Sequence, residues 1–142
     1  MVNRRLNFSN YFNWSFDVNA IESTRSLYDL VVVDSAGIEK SFAESLEKEA
    51  DVEVYTKLPR GFYINTPLGH YNPDWTIVFR EGSVNHVYFV AETKGSLSSA
   101  SLREVEKSKI ECARKHFESL SDKTVVYDIV TNFGDLRDIV TR

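Results

Sequence analysis

Asp74, Glu92 and Lys94 are the residues best suited to chemistry in this 142-residue chain. They stand in two short phrases, Asn72-Pro73-Asp74-Trp75 and Phe89-Val90-Ala91-Glu92-Thr93-Lys94-Gly95. The second phrase continues an apolar run that starts at Val87. A buried run that ends in a carboxylate and an ammonium is costly unless those charges have partners. A divalent metal ion and a phosphate are such partners. Carboxylate oxygens suit Mg2+, a hard ion that prefers oxygen, and Mn2+ can substitute. A bound ion of this kind polarises a phosphate and lowers the pKa of a bound water. A neighbouring ammonium orients that water or offsets transition-state charge. The chemistry is that of phosphodiester hydrolysis, with the Thr93 backbone carbonyl as a further ligand. The blander reading is a surface hairpin with an incidental Glu-x-Lys. Pro73-Asp74, at the right distance, weighs against it.

The positioning elements follow from the pattern. Trp75 to Phe79 reads as one strand and Asn85 to Thr93 as its partner, joined by a loop Glu81-Gly82-Ser83 with a glycine suited to a positive backbone angle. A three-residue loop sets Arg80 opposite Val84 and Asp74 opposite Val90. Glu92 is then a diagonal neighbour of Asp74, at roughly 7–8 Å. Side-chain alternation puts Lys94 on the same face and turns Thr93 away. Ser26 to Val33 reads as a strand, Ile38 to Lys48 as a helix burying Phe42, Ala43 and Leu46, and Val52 to Tyr55 as a strand. A short strand Phe62-Tyr63-Ile64 lies between turns at Leu58–Gly61 and Thr66–Gly69. Ser98, Ser99 or Ser101 caps a helix that runs to about Phe117. Thr124 to Val130 is a strand beside the central hairpin, and a short helix follows Gly134. The order predicts a mixed α/β domain whose sheet is covered on both faces. Residues 1–25 are polar and aromatic without a period and stay unassigned, so the domain is read as residues 26–142.

Other residues carry weaker signals. Glu39 faces inward on the first helix, where it suits a second metal ion or its water shell, or is simply a first-turn acid favoured by the helix dipole. Lys109 suits a DNA phosphate or a buried acid, but equally a snorkelling role. His116 reads as a helix-end histidine and Cys112 as a small core residue. His70, Tyr71 and Trp75 flank Asp74 and either shape the site or pack. There is no Gly-x-x-x-x-Gly-Lys-Ser/Thr loop, hence no ATP site of that kind, and no Gly-x-Ser-x-Gly elbow.

Composition sets the bounds. With 42% apolar and 13% aromatic residues the chain should fold, as one domain. No apolar run approaches the roughly 20 residues of a membrane span, and the start lacks the apolar stretch of a secretory signal. The single cysteine excludes an internal disulfide, and a cytoplasmic setting is the expectation. A net charge of -4 argues against a domain that grips nucleic acid by charge alone. The imbalance is local. Residues 1–50 hold eight acids and five bases, whereas residues 101–142 hold eight of each, with Lys107, Lys109, Arg114 and Lys115 clustered.

Residues from about Leu27 to Phe117 resemble the C-terminal endonuclease domain of the restriction subunit of type III restriction enzymes, within the PD-(D/E)XK nucleases. The phrases that carry the resemblance are Tyr28-Asp29 before Asp34-Ser35, Glu39-Lys40-Ser41-Phe42-Ala43, Lys57-Leu58-Pro59, Thr66-Pro67-Leu68-Gly69-His70-Tyr71 running into Asn72-Pro73-Asp74-Trp75, Ala91-Glu92-Thr93-Lys94-Gly95, and Lys109-Ile110 through His116-Phe117. The resemblance implies a restriction-endonuclease-like fold with a central mixed sheet flanked by helices. It also implies Mg2+-dependent cleavage of double-stranded DNA, with Asp74, Glu92 and Lys94 as the active site, and it favours a functional Glu39. Related enzymes add an ATP-dependent helicase-like region and a modification (methyltransferase) subunit. Neither is in this sequence, so the chain is expected to be an isolated nuclease domain or part of a longer protein. The alternative is a non-catalytic docking or DNA-contact module.

Overall fold

The computed structural model describes residues 20–34, 37–86, 88–93, 104–120 and 125–142. Its centre is a four-stranded sheet in the order β3-β6-β7-β8, built from β3 (Val52–Lys57), β6 (Trp75–Phe79), β7 (Tyr88–Thr93) and β8 (Val125–Val130). β3 and β6, and β6 and β7, are antiparallel; β7 and β8 are parallel. A parallel pair needs a crossover, and helix α2 (Glu104–Leu120) lies between those two strands in the chain. Two small hairpins flank the sheet, β1 (Ala20–Glu22) with β2 (Leu30–Val32) and β4 (Ile64–Thr66) with β5 (Gly69–Tyr71). Helices α1 (Ile38–Lys48) and α3 (Phe133–Thr141) complete the fold.

Strand alternation sorts the sheet into two buried faces. Tyr55, Trp75, Ile77, Phe79, Phe89, Ala91 and Val130 pack with Phe42, Ala43 and Leu46 of α1 and Leu136 and Val140 of α3. Val90, Tyr127 and Ile129 point the other way, into a smaller cluster with Ile110 and Ala113 of α2 and with Ile64 and Tyr71 of the β4–β5 hairpin. The mixed α/β architecture with a doubly covered sheet is as the pattern predicts. α1 has the predicted bounds and buried face. α3 starts at Phe133, where the Asn132 side chain accepts the Asp135 N–H at 3.1 Å as an N-cap. The serines expected to cap α2 lie outside the described residues.

Four local expectations are corrected. The stretch Ser26–Val33 is a strand only at Leu30–Val32. Before it, the Ser23 hydroxyl accepts the Arg25 and Ser26 N–H groups at 3.2 and 2.8 Å, which holds a turn in place of extended chain. The next strand is Ile64–Thr66, not residues 62–64. Asn72 Nδ2 ties down the carbonyls of Arg60 and Phe62, so that segment is a loop. β7 starts at Tyr88 rather than Asn85. Asn85 and His86 donate their N–H groups to Val140 O at 2.8 and 3.2 Å, and Asn85 Nδ2 donates to Thr141 O, so these residues pair with the end of α3 and not with β6. The connection is therefore longer than three residues. The observed register, Trp75 opposite Ala91 and Ile77 opposite Phe89, sets position 74 across from Glu92 rather than Val90.

Candidate active site

Asp74 stands just before β6, and its backbone fixes it on both sides. Its N–H donates to Ala91 O at 3.2 Å, and its carbonyl accepts the Leu58 N–H at 2.7 Å. Trp75 anchors the next position. It is fully buried, lies 5.7 Å from Phe42 and 6.3 Å from Tyr55 between ring centroids, and donates Nε1 to Thr93 Oγ1 at 3.4 Å. Because Asp74 lies outside the regular strand, its side chain leans along the sheet end instead of keeping the pleat. Asp74 Oδ2 accepts the Thr93 N–H at 2.9 Å and the Thr93 hydroxyl at 2.8 Å. Thr93 therefore faces Asp74, contrary to the alternation argument. The local cause is that the strand end lets a short carboxylate reach both a backbone and a side-chain donor of one residue.

The other Asp74 oxygen meets a residue that pattern reasoning did not select. Lys57 Nζ lies 3.7 Å from Asp74 Oδ1, 2.9 Å from Glu39 Oε2 and 3.7 Å from Asp34 Oδ2. Its side chain is only 14% exposed, and its ammonium sits 5.1 Å from the Trp75 ring centroid, within cation–π range. Glu39 Oε2 also accepts the Asp34 N–H at 2.7 Å. From its inward position Glu39 thus bonds both Lys57 and the β2–α1 turn. Arg60, itself exposed, pairs with Asp34 at 3.0 Å at the rim of a cleft of about 270 Å³ that Lys57, Leu58 and Pro59 also line.

Glu92 is 7% exposed and shares a strand face with Val90, toward α2. The Tyr71 and Tyr127 hydroxyls hydrogen-bond each other there, with the rings edge to face at 5.9 Å. Burial, and next the Glu92 carboxylate, pushes the Tyr71 phenol far above its ordinary range. Burial also raises Tyr127, against the hydrogen bond from Tyr71. Tyr71 thus stays a neutral phenol beside Glu92, with Tyr127 bonded to it from behind, an arrangement that orients a buried carboxyl group.

The structure thus brings Asp74 together with Thr93, Lys57 and Glu39, and Glu92 together with the two tyrosines, at the ends of adjacent strands in direct register. Lys94 lies outside the described residues. Among the described residues no group of three or more His, Cys, Asp or Glu side chains is placed to hold a metal ion. The donors at this end of the sheet are all hard oxygen and suit Mg2+: the Asp74 carboxylate, the Glu92 carboxylate at the register position opposite it, and the Thr93 carbonyl next to Glu92 in sequence.

Lys109 reaches His70 O at 3.5 Å, a contact with backbone rather than with an acid. His70 stacks on Tyr63 at 4.0 Å. His116 packs edge-on against Phe117, and Cys112 is half-buried. No described helix is long and apolar enough to cross a membrane. Lys57 escaped pattern reading because β3 carries a bulge between Val52 and Val54. Strict alternation from Val52 turns Lys57 outward; the bulge shifts the phase and brings Tyr55 and Lys57 to the α1 face. Only its place in Lys57-Leu58-Pro59 marked it in the sequence.

Among curated proteins and among solved structures nothing matches the chain. Residues 24–133, more than half of its length and including the β-sheet, Asp74, Glu92 and Glu39, match the family described as an endonuclease domain. The chain belongs to that endonuclease-domain family, and its fold is consistent with a restriction-endonuclease-like nuclease.

Proposed function

We propose that this chain is a metal-dependent DNA endonuclease domain of the type III restriction kind, acting at Asp74, Glu92 and Lys94. The observation that carries the reading is the pairing of position 74 with Glu92 across β6 and β7, inside a domain of an endonuclease family. Asp74, Glu92 and the Thr93 carbonyl would hold one Mg2+, or Mn2+ in its place. When bound, that ion supplies Lewis-acid polarisation of a phosphate and a more acidic water.

The chain's own residues do the rest. Thr93 fixes one Asp74 oxygen and Lys57 borders the other, so the carboxylate is oriented before any ligand arrives. Tyr71, backed by the Tyr127 hydroxyl, does the same for Glu92. Preorganised charge of this kind needs no rearrangement in the transition state. Lys94, two residues beyond Glu92, serves the attacking water or the developing charge. Glu39 acts from the α1 side, behind Lys57. The exposed Arg60 at the cleft and the lysines of α2, Lys107, Lys109 and Lys115, suit the backbone of double-stranded DNA. The substrate site is set by partners: a helicase-like ATPase region and a modification subunit, with no ATP site in these residues.

The test is incubation of the purified chain with supercoiled plasmid and Mg2+ or Mn2+, beside an EDTA control and the Lys94→Ala variant. Metal-dependent nicking or linearisation that is lost in Lys94→Ala supports the reading. Cleavage that survives EDTA, or that persists in Asp74→Ala, Glu92→Ala and Lys94→Ala alike, overturns it.

A further inference from the structure

Lys57 is unusual for a charged side chain. Its ammonium is withdrawn from solvent, faces three carboxylates and lies against an indole. Ion pairs at an exposed surface contribute little and need no such enclosure. Here a strand gives up regular pairing at a bulge, and the shifted phase sets Lys57 on the α1 face. The cost of burying a lysine is met only if its partners are held in place. Those partners are Glu39, the acid on α1, and Asp74, the acid in register with Glu92.

We propose that Lys57 is the resident cation of this active site: it clamps Asp74 toward Glu39 and stands where a second divalent ion would sit, so that the site takes a single metal ion. The proposal rests on the metal-binding reading given above. Two-metal phosphodiesterases place their ions about 3.5–4 Å apart, bridged by a shared carboxylate. Asp74 is the carboxylate able to bridge here. Its Oδ2 is held by Thr93, and its Oδ1, on the Glu39 side, already borders an ammonium. A further ion at that oxygen would meet like charge at close range in a partly desolvated place, where repulsion is far stronger than in water. Consistently, the three carboxylates that converge at this end of the sheet, Asp34, Glu39 and Asp74, converge on the Lys57 ammonium. Lys57 is a positioning residue on this account. It orients Asp74 and limits the number of ions, without contacting the water that attacks.

The test counts ions rather than turnover. Mn2+ would be titrated into the full chain by calorimetry and followed by electron paramagnetic resonance, for wild type, Lys57→Met, Lys57→Gln and Lys57→Arg, with circular dichroism to confirm folding. The expected result is one Mn2+ per chain in wild type and in Lys57→Arg. Removal of the charge in Lys57→Met or Lys57→Gln is expected to admit a second ion, with the spectrum of an exchange-coupled pair. Two ions in wild type would overturn the proposal. So would a stoichiometry and affinity unchanged in whichever uncharged variant folds. No Mn2+ bound to wild type would overturn the metal reading itself, and the proposal with it.

Discussion

Replacing Asp74 separates its two tasks, and the structure sets the size of each. Asp74→Asn removes a negative charge but keeps an oxygen that can accept from Thr93. Asp74→Ala removes the acceptor as well. The carboxylate takes two hydrogen bonds from Thr93, at 2.9 and 2.8 Å, and its side chain is 22% exposed. A hydrogen bond to a charged group contributes about 1.5–3 kcal/mol when buried. Partial exposure and the sharing of one oxygen favour the low end, so Ala should destabilise the domain by about 2–3 kcal/mol. Lys57 keeps Glu39 at 2.9 Å in either variant, so loss of the longer Asp74 contact adds little. Asn should cost about 1 kcal/mol, mainly by exchanging charged for neutral hydrogen bonds. For a domain of this size, 1 kcal/mol moves the melting temperature by about 4 °C. Differential scanning calorimetry should therefore place Asn about 4 °C below wild type and Ala about 8–12 °C below it. Cleavage should fall at least about a hundredfold in both, because charge at the reacting phosphate and not fold is what they share. The reasoning fails if Asn keeps cleavage within tenfold of wild type, or if Ala melts no lower than Asn.

Three further outcomes follow from other parts of the molecule. Tyr71→Phe leaves the Tyr127 hydroxyl without its partner and removes a neutral donor from beside Glu92. It should cost about 1 kcal/mol in urea unfolding and weaken Mn2+ binding, and unchanged binding would detach the tyrosine pair from the site. Wild-type stability should also fall above pH 10. Burial raises Tyr71 and Tyr127 and pushes Tyr55 up to about 12, so the unfolded chain loses these protons first, and a flat profile to pH 12 would contradict this. Burial tends to raise the Glu47 carboxyl, but hydrogen bonds from Ser23, Thr24 and Tyr55 hold it at about 2. Its stabilisation is thus complete above pH 4.5 and lost as pH falls toward 2. Glu47 is half-buried and keeps some contact with solvent, which screens its charge, so Glu47→Gln should cost about 1 kcal/mol at pH 7 and flatten the acid limb of the unfolding curve. Asn132→Ala removes the N-cap of α3 and should cost about 1 kcal/mol by the same measurement, with cleavage unaffected.

The elements that came through from sequence are those with strong, uninterrupted periods. α1 buries Phe42, Ala43 and Leu46 because they recur at helical spacing, and β8 is legible as the apolar run from Val125 to Val130. The pairing of Asp74 with Glu92 was nearly legible. The two strands and their antiparallel sense are plain, but register depends on the connection, and Asn85 and His86 are claimed by backbone carbonyls near the end of α3, more than fifty residues away. No local rule anticipates such a competitor. Lys57 was hidden by the bulge in β3, since one extra residue exchanges the two faces of every position after it. The tyrosine pair was hidden for a different reason. Tyr71 and Tyr127 lie on strands far apart in sequence, and only the stacking of the β4–β5 hairpin over the sheet brings their hydroxyls together on the Glu92 side.

Trp75 gives the molecule its own optical reporter. The chain has two tryptophans, and Trp14 can be removed by Trp14→Phe. The remaining indole is sealed from solvent, donates to the hydroxyl that holds Asp74, and carries the Lys57 ammonium above its ring. An indole's emission shifts with the field of a nearby charge, so the fluorescence of Trp75 will register any movement of Lys57 without a label. Events at the centre can then be timed in stopped flow before a phosphodiester bond is broken.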